Sequence, residues 1–394
     1  MTVASRDDAL ALDRSDPLAR FRDDFVLSSS PAIYADGNSL GPPPRRTAAR
    51  VAALFGEWAD DLVRGWDQWI DVPLQVGDRL GSACLGAAPG QVAVCDSTTI
   101  NLVKAVGAAM VGRRRLVVAE EEFPTDRYLV QSLAAQHGLT AVVVPRGNDV
   151  VDACDANSVA VLSAVNYRTG ELLGVESETA RAHGLGAEIV WDLCHAVGAV
   201  PLLLDDWGVR LAVGCTYKYL NAGPGAPAFV YVSHDAQTTL RQPVWGWFGQ
   251  RDQFEMGPTY EPADGIRSWL AGTPNLAGTV AVDEGVAMVE AAGIDAIRRK
   301  SEQLVALAGE LANEHLLPLG WTVVTPREPS RRGGHLAIAH PDARAICAEL
   351  VASEQVIPDF RAPDLLRLGL SPLHARFVDV YDAVTRVAQA TPRS

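Results

Sequence analysis

Residues 188–232 read EIVWDLCHAVGAVPLLLDDWGVRLAVGCTYKYLNAGPGAPAFVYV and contain two apolar runs that each end in polar residues. An apolar run at 188–191 ends in Asp192, and His195 follows three residues later. A second apolar run, 211–215, leads directly into the polar group 216–219. Both runs predict strands of an open parallel sheet, so the polar residues lie where the strands end. Because ligands of such sheets gather outside the carboxyl ends of the strands, we expect a binding site there.

An acid at one strand end and a lysine at a neighbouring one suit a site for pyridoxal 5'-phosphate (PLP). Lys218 would form a Schiff base with the cofactor aldehyde and needs a lowered pKa to remain nucleophilic. Asp192 would pair with the pyridine nitrogen, so that the ring acts as an electron sink. Taken alone, Lys218 reads as a surface lysine and Asp192 as a helix cap. The Pro/Gly-rich turn at 223–227, directly after the lysine, favours the PLP site.

The blocks WDLCHAVGAVPL (191–202), WGV (207–209), VGCTYKYLN (213–221) and GPGAPAF (223–229) resemble kynureninases, a family of fold-type I, class V PLP enzymes. The resemblance runs from DGNSLG at 36–41 to the last predicted helix, with its blocks in the same order. It implies an α/β fold with a large PLP-binding domain, built on a mainly parallel seven-stranded sheet, and a small α+β C-terminal domain. We expect the large domain at 46–275 and the small one at 276–394, with segment 1–45 packing on the latter.

Composition limits the classes of partner. The 394 residues carry a net charge of −14, which argues against nucleic acid or an anionic membrane surface. No apolar run approaches the roughly 18 residues of a membrane span, and the acidic N-terminal sequence is unlike a signal or transit peptide. We therefore expect a cytoplasmic protein. The six cysteines form no CxxC pair and no HExxH motif occurs, so we expect free thiols and no metal.

A phosphate site is predicted at the start of a helix after the strand-like run 91–95. Residues 96–99 read Asp-Ser-Thr-Thr and resemble a helix cap. Free backbone N–H groups and the helix dipole make such a start an anion site, to which hydroxyls add donors. A capping motif without a ligand has the same sequence. The resemblance favours the cofactor phosphate, and we assign Thr98 and Thr99, with Ser97 as a further candidate.

The next strand-like run, 116–119, ends in Glu-Glu-Glu-Phe-Pro-Thr-Asp. From its residues alone, this is a charged loop with one phenyl ring. In the kynureninase resemblance, the FPTD block places Phe123 flat on the pyridine ring and Asp126 beside it. A stacked apolar face displaces water and strengthens the charge interactions around the cofactor.

Substrate contacts are predicted in two segments. The resemblance implies that Asn38 and Ser39 of DGNSLG face the substrate, although the segment also reads as a plain strand-to-helix loop. Arg367 lies in a strand-like run and matches the family arginine that holds the substrate carboxylate, a role that suits its planar fork; the alternative is an exposed strand arginine. His374 replaces the tyrosine of the family's PLY block, and either lies near the acyl end of the substrate or fills space.

Glycine-rich aromatic blocks suggest a shared site. In relatives, segments similar to Trp247-Phe-Gly and Gly-Thr273-Pro reach the phosphate of the neighbouring subunit, which implies a homodimer; on their residues alone they are rigid surface loops. Gln250 stands where the family has histidine, a departure that is either harmless or affects recognition of the substrate ring. Trp66 and Trp69, three residues apart, indicate core or interface packing.

The reaction implied by the resemblance is hydrolytic cleavage of the Cβ–Cγ bond of L-kynurenine or 3-hydroxy-L-kynurenine, giving L-alanine and anthranilate or its 3-hydroxy form. Lys218 would remove the α-proton. Tyr217 would protonate the β-carbon while contacting the phosphate. His195 would reach the cofactor or carbonyl, or make a structural hydrogen bond.

Other activities stay open. Another class V reaction on a different amino acid is possible, catalysed by a lyase, a desulfurase or an aminotransferase. Desulfurases have histidine where this chain has Tyr217, and no cysteine is clearly placed on a catalytic loop. A non-catalytic PLP-binding relative is disfavoured by the intact Lys218, Asp192, Phe123 and Arg367. The departures at Gln250 and His374 leave a substituted kynurenine open as substrate.

Overall fold

The structure is a computed structural model that describes residues 5–27, 32–353 and 355–392. The helices are α1 (Arg6–Ser15), α2 (Arg45–Asp61), α3 (Trp66–Trp69), α4 (Val72–Leu80), α5 (Thr98–Ala109), α6 (Pro124–His137), α7 (Val175–Gly184), α8 (His234–Thr239), α9 (Leu276–Ala292), α10 (Ile294–His315), α11 (Ala343–Ala352) and α12 (Phe377–Ala390). The strands are β1 (Ile33–Tyr34), β2 (Val92–Val94), β3 (Arg115–Ala119), β4 (Thr140–Val144), β5 (Ser158–Ser163), β6 (Glu188–Asp192), β7 (Leu211–Gly214), β8 (Phe229–Val232), β9 (Thr322–Val323), β10 (His335–Ala339), β11 (Val356–Ile357), β12 (Asp359–Arg361) and β13 (Leu365–Gly369).

The large sheet has seven strands in the order β2-β8-β7-β6-β5-β3-β4. Strands β3 to β7 pair in parallel, whereas β8 is antiparallel to both of its neighbours. The predicted mainly parallel seven-stranded sheet is therefore confirmed. Because parallel strands begin and end at common edges, the carboxyl ends of β5, β6 and β7 meet at one edge.

Helices cover both faces of this sheet, which explains why its strands read as continuous apolar runs. In β6, Ile189 and Trp191 belong to one core and Val190 to the other. The first core includes α4 and α9, and the second includes α5 and α6. Alternate side chains of a strand point to opposite faces, so each face of β6 needs apolar residues of its own.

The C-terminal part forms a smaller α+β unit. Its antiparallel sheet has the order β12-β13-β10-β9, and its core includes residues of α10, α11 and α12. The N-terminal α1 packs on α12, and the carboxylate of Asp13 accepts hydrogen bonds from the backbone N–H groups of Phe377 and Val378 at the start of α12. These contacts support the proposal that the N-terminal segment packs with the small domain.

Helix α9 lies between the two units. It packs on α2 and α4, and its Val282, Val286 and Val289 belong to the core of the large sheet. The chain then changes direction at Gly293, whose φ of 79° favours glycine. On this packing we propose that the small domain begins after Gly293, and not at residue 276.

A buried ion pair joins the N-terminal segment to α10, and its loss should destabilise the protein. Asp16 lies 2.7 Å from the ammonium of Lys300, and the two side chains are 3% and 5% exposed. We expect Asp16→Asn to lower the free energy of unfolding by about 2–3 kcal/mol, measured by urea denaturation. Breaking an isolated buried ion pair costs about 3–5 kcal/mol. We expect a smaller loss here because Asp13 and Asp379 also lie near Lys300 and still offset its charge.

The half-exposed pair of Arg50 and Glu57 is the control for this measurement. Glu57→Gln removes an ion pair that is partly exposed to solvent, so it should lower the free energy of unfolding much less than Asp16→Asn does. Equal losses in the two variants would contradict the assigned role of Asp16. The substitution to asparagine keeps the oxygen that accepts the Leu18 N–H, so the measured loss reports the missing charge.

Candidate active site

A cavity of about 530 Å³ lies at the carboxyl edge of the large sheet. Its walls come from the ends of β5 and β6, the loop after β7, the start of α5, the β3–α6 loop and residues 270–275. Nine of the residues predicted for the site line it: Thr98, Thr99, Phe123, Asp126, Asp192, His195, Tyr217, Lys218 and Thr273. The chain topology therefore gathers into one cavity groups that lie far apart in the sequence.

Lys218 contacts His195 inside this cavity, with 2.9 Å between Nζ and Nε2. Burial holds the pKa of His195 well below its ordinary value, and the positive charge of Lys218 lowers it further. A neutral imidazole can accept a hydrogen bond from the lysine amine. The other ring nitrogen, Nδ1, has no hydrogen-bond partner among the described residues.

Lys218 also differs from the other two lysines of the sequence. Lys104 is buried and pairs with Asp96, and Lys300 is buried and pairs with Asp16. Lys218 has no carboxylate partner among the ion pairs of the described chain. Its amine is therefore the lysine amine accessible to a ligand in the cavity.

Asp192 ends β6 and is buried at the base of the same edge. Its Oδ1 accepts a hydrogen bond from the Cys194 backbone N–H at 2.6 Å. This bond is local, since it spans two residues, and it fixes the carboxylate against the strand end. A carboxylate held in this way can pair with a positive charge in the cavity.

The N-terminus of α5 faces the cavity. Ser97 caps the helix by accepting from the Ile100 N–H at 3.4 Å, and the hydroxyl of Thr98 lies 3.7 Å from Cys194 Sγ. Ser97, Thr98 and Thr99 all line the cavity. Hydroxyls at a helix N-terminus, together with free backbone N–H groups, are suited to an anion such as a phosphate.

The β3–α6 loop contributes one ring, and the first turn of α6 contributes one carboxyl group. Phe123 is 41% exposed, and its ring lies edge-on to Tyr167 with 5.3 Å between the centroids. Asp126 is buried, and its Oδ2 has no partner among the described residues. Burial raises the pKa of Asp126 well above its ordinary value, and the charges of Asp192 and Glu122 raise it further.

The predicted substrate-binding residues Asn38, Ser39 and Arg367 lie outside the cavity lining. Arg367 is 1% exposed and donates to the Asp359 carboxylate, the Ser39 hydroxyl and the Tyr167 carbonyl. Asn38 is fully buried, and neither polar atom of its side chain has a partner among the described residues. Since Tyr167 itself lines the cavity, Arg367 lies directly behind its wall.

His374 is placed elsewhere. Its ring packs against Phe25 and Tyr34, with centroid distances of 5.6 and 6.0 Å, and lies at a second cavity next to Arg22. Burial lowers the pKa of His374 to about 3, so the ring is neutral. These contacts support the space-filling interpretation of His374.

The two aromatic, glycine-rich blocks separate in the structure. Thr273 lines the cavity of its own chain, whereas Trp247 packs on Phe248 and Phe254 at a surface depression that also contains Gln250. The side-chain oxygen of Gln250 accepts from the Glu261 backbone N–H at 2.7 Å. Within one chain, therefore, neither Trp247 nor Gln250 reaches the cavity.

Comparison with known proteins decides the family. A model of the kynureninase C-terminal domain matches residues 297–387. A kynureninase of Pseudomonas fluorescens is 39% identical over 404 aligned positions, covering 99% of this chain and 96% of the relative. A kynureninase of Burkholderia pseudomallei is 42% identical, covering 97% and 94%. The chain belongs to the kynureninase family.

Solved structures of PLP-dependent enzymes share the fold of this kynureninase-family chain. A variant of C-DES with glycine covalently linked to the PLP cofactor superposes with a TM-score of 0.82 at 15% identity, covering 93% of this chain and 98% of that one. A cysteine desulfurase from Thermococcus onnurineus gives 0.79 at 16% identity, covering 93% and 96%. At such low identity the similarity shows the fold alone, and it confirms the predicted fold class.

The cavity residues of this kynureninase-family chain fit PLP. Lys218, Asp192 and the start of α5 are an amine, a carboxylate and an anion site, the groups that the aldehyde, ring nitrogen and phosphate of PLP require. The buried, unpartnered atoms Asp126 Oδ2 and His195 Nδ1 belong to residues of the same cavity. Such atoms indicate that a polar ligand completes their hydrogen bonds.

Sequence reasoning missed several residues around the kynureninase-family cavity. Ser163, Tyr167 and Cys194 line it, and Asp359 pairs with Arg367. The first three lie at the carboxyl ends of β5 and β6. Their positions after two predicted strands could have identified them as candidates for the site. Nothing local in the sequence identifies Asp359 as the partner of Arg367, because the contact depends on the pairing of β12 with β13. Within the described ranges, no three or more His, Cys, Asp or Glu side chains are arranged so that they could hold a metal ion.

Proposed function

We propose that this protein hydrolyses the Cβ–Cγ bond of L-kynurenine or 3-hydroxy-L-kynurenine, or of a substituted kynurenine, with PLP as cofactor. The observation that carries the proposal is the Lys218 amine held against neutral His195 in a cavity that also contains Asp192 and the start of α5. Full-length similarity to kynureninases supports the choice of substrate. The products are L-alanine and anthranilate or its 3-hydroxy form.

Lys218 is proposed as the base that removes the α-proton. Its Nζ lies 2.9 Å from His195 Nε2, and this contact holds the amine at the cavity, where it would take up the α-proton. Bound PLP supplies the electron sink for the electron pair left at the α-carbon. The carboxylate of Asp192 stabilises the positive ring nitrogen that this chemistry requires.

Tyr217 is proposed as the proton donor to the β-carbon. Burial raises the pKa of its hydroxyl, and the neighbouring Cys215 raises it further, so the proton stays on the oxygen at neutral pH. In the overall reaction, the water oxygen joins the γ-carbonyl carbon, the Cβ–Cγ bond breaks, and Cβ takes up a proton. The atoms of kynurenine and water therefore account for alanine and the aromatic acid.

Asn38, Ser39 and Arg367 are proposed to bind the substrate carboxylate. Arg367 already donates to Asp359 and Ser39, but its Nε has no partner among the described residues. The carboxamide of Asn38 is also without a described partner. We infer that these unpartnered groups bind the substrate carboxylate.

The activity is tested by incubating the PLP-loaded protein separately with L-kynurenine and 3-hydroxy-L-kynurenine. Fluorescence follows the aromatic acid, and an alanine assay follows the other product. Equal amounts of alanine and aromatic acid support hydrolysis, and the two rates rank the substrates. A change in the cofactor spectrum without release of alanine would contradict the proposed hydrolysis and favour another class V reaction.

We propose that the protein is a homodimer. One surface, here called the apolar face, exposes Phe55, Trp58, Leu62 and Val63, and it includes Leu276, three residues after cavity-lining Thr273. Large exposed apolar patches mark interaction sites. A second copy bound to the apolar face would lie next to the cavity. This position agrees with the family resemblance, which implies a site shared between two subunits, and Trp247 would then reach the neighbouring subunit.

The apolar face gives a prediction for assembly. Val63→Glu introduces a charge at a side chain that is 77% exposed in the single chain. We expect the dimer to dissociate at least about tenfold more readily, because a charge must be desolvated in the interface. Val111→Glu is the matched control, since Val111 is also 77% exposed but lies outside the apolar face. Sedimentation velocity measures both, and equal behaviour would contradict the assignment.

Location and other partners are proposed from composition. The net charge of −14 disfavours nucleic acid and anionic membrane surfaces as partners. Across the described residues, no helix is both long and apolar enough to cross a membrane. We propose a cytoplasmic enzyme, and cell fractionation tests this.

A further inference from the structure

Three carboxyl groups surround one side of the cavity. Asp126 and Asp192 line it, and Glu122, which is 4% exposed, lies beside them on the β3–α6 loop. Sequence reasoning assigned no role to Glu122, the last of three consecutive glutamates. Glu120 is exposed, and Glu121 accepts from the Gly147 backbone N–H at 2.9 Å. Only the third glutamate is turned towards the sheet edge.

Glu122 is held by the end of β5. Its Oε1 accepts from the Ser163 backbone N–H at 3.0 Å, and its Oε2 contacts the Ser163 hydroxyl. Ser163 is the register partner of Asp192 on the adjacent strand, and it lines the cavity. The two hydrogen bonds therefore fix the Glu122 carboxyl one strand away from the Asp192 carboxylate.

The ionisable groups around Glu122 are mainly carboxyl groups. Burial raises the pKa of Glu122 to about 7, the charges of Asp192 and Glu121 raise it, and the hydrogen bonds from Ser163 oppose the rise. Asp126 also lies near this group, and Lys218 is the cation that faces Asp126. Neighbouring buried carboxyls cannot all ionise at neutral pH, because each negative charge disfavours the next.

We propose that Glu122 holds a proton in the cofactor-free protein and releases it when Asp192 pairs with the positively charged ring nitrogen of PLP. Glu122 is thus a positioning residue that couples cofactor affinity to pH. The inference rests on the cofactor of the proposed function and adds a residue to it. The positive ring nitrogen offsets the negative charge of Asp192. The repulsion that disfavours an ionised Glu122 carboxylate is therefore removed.

The direction of the pH effect follows from proton linkage. If binding lowers the pKa of Glu122 from about 7, the complex holds fewer protons than the free protein in the window just below pH 7. Affinity for PLP then rises with pH through this window and levels off above it. Each unit by which the pKa falls contributes about a tenfold gain in affinity.

The test titrates the apoprotein with PLP between pH 5.5 and 8.5 and compares the dissociation constants of wild type and Glu122→Gln. The titrations of PLP itself are common to both proteins, so the ratio of the two constants isolates Glu122. We expect the affinity of the wild type relative to the variant to rise by about three- to tenfold across the range. Glu120→Gln, a matched change at the exposed glutamate, should follow the wild type at every pH.

A second variant moves the window without removing the carboxyl group. Ser163→Ala deletes a hydrogen bond that favours ionised Glu122, so the pH midpoint should shift upwards. Infrared difference spectra recorded on adding PLP to the wild type near pH 6.5 should show loss of a protonated carboxyl band. The same spectra of Glu122→Gln should lack this loss.

The outcomes separate this inference from the proposed function. A wild type that does not bind PLP overturns both. A wild type that binds PLP and turns over kynurenine, with the same pH dependence as Glu122→Gln, overturns only the role of Glu122. The role of Glu122 is also contradicted if Ser163→Ala moves the midpoint of the pH dependence of PLP affinity to lower pH. It is supported if the midpoint moves to higher pH and the infrared spectra show loss of the protonated carboxyl band.

Discussion

Replacement of Lys218 by alanine is expected to lower the turnover of L-kynurenine by about a thousandfold or more and to prevent covalent retention of PLP. The loss combines a missing attachment point for the cofactor with a missing base, and general base catalysis alone contributes about 10²–10⁴-fold. No other lysine can substitute, because Lys104 and Lys300 are buried in ion pairs with Asp96 and Asp16.

Borohydride reduction of the PLP-loaded protein, followed by peptide mass spectrometry, measures the attachment. The wild type should carry the cofactor on the peptide that contains Lys218, and Lys218→Ala should carry none. Lys300→Arg keeps the positive charge beside Asp16 and controls for loss of a lysine elsewhere; it should be labelled like the wild type. Cofactor retained covalently by Lys218→Ala would overturn the assignment.

Replacement of Asp192 by asparagine is expected to reduce kcat by about a hundred- to a thousandfold, the scale on which a buried charge loses its partner. Asparagine keeps the oxygen that accepts the Cys194 N–H, so the strand end should retain its geometry. What disappears is the negative charge that stabilises a protonated ring nitrogen, and with it the electron sink.

Asp126→Asn provides the comparison, because it makes the same chemical change in the same cavity. Burial raises the pKa of Asp126 well above its ordinary value, so the site already disfavours the negative charge that the amide removes. Its loss in kcat should therefore be much smaller than that of Asp192→Asn. Steady-state kinetics on both variants, with PLP affinity measured in parallel, checks this order; equal losses would contradict the separate roles.

Local sequence patterns predicted the elements well. The sequence pattern predicts a strand at 335–339, a helix at 377–390 and a helix at about 45–62. The first two coincide with β10 and α12, and α2 ends one residue earlier than the third. Such elements depend on periodicity and on capping residues within a few positions. For the same reason Asp192, Thr98 and Lys218 were assigned to the site from their positions next to strand ends and a helix start.

Contacts between distant segments were not predictable in this way. The sequence predicts that Arg367 holds the substrate carboxylate, but it does not reveal that the pairing of β12 with β13 also places Asp359 against the guanidinium. His374 was considered for the acyl end of the substrate, but it packs on Phe25 and Tyr34, which come from the other end of the chain. Both outcomes depend on which segments fold together.

The sequence by itself determined the family, the sheet with its helices, and the chemical types of the groups at the strand ends. Which of these groups share a cavity, and which of them are charged, depends on how distant segments pack together. Glu122 and Ser163 are 41 residues apart and meet at the sheet edge, and Lys218 reaches His195 across 23 residues. Burial and neighbouring charge set the protonation of such groups, and both arise from distant segments that only folding brings together.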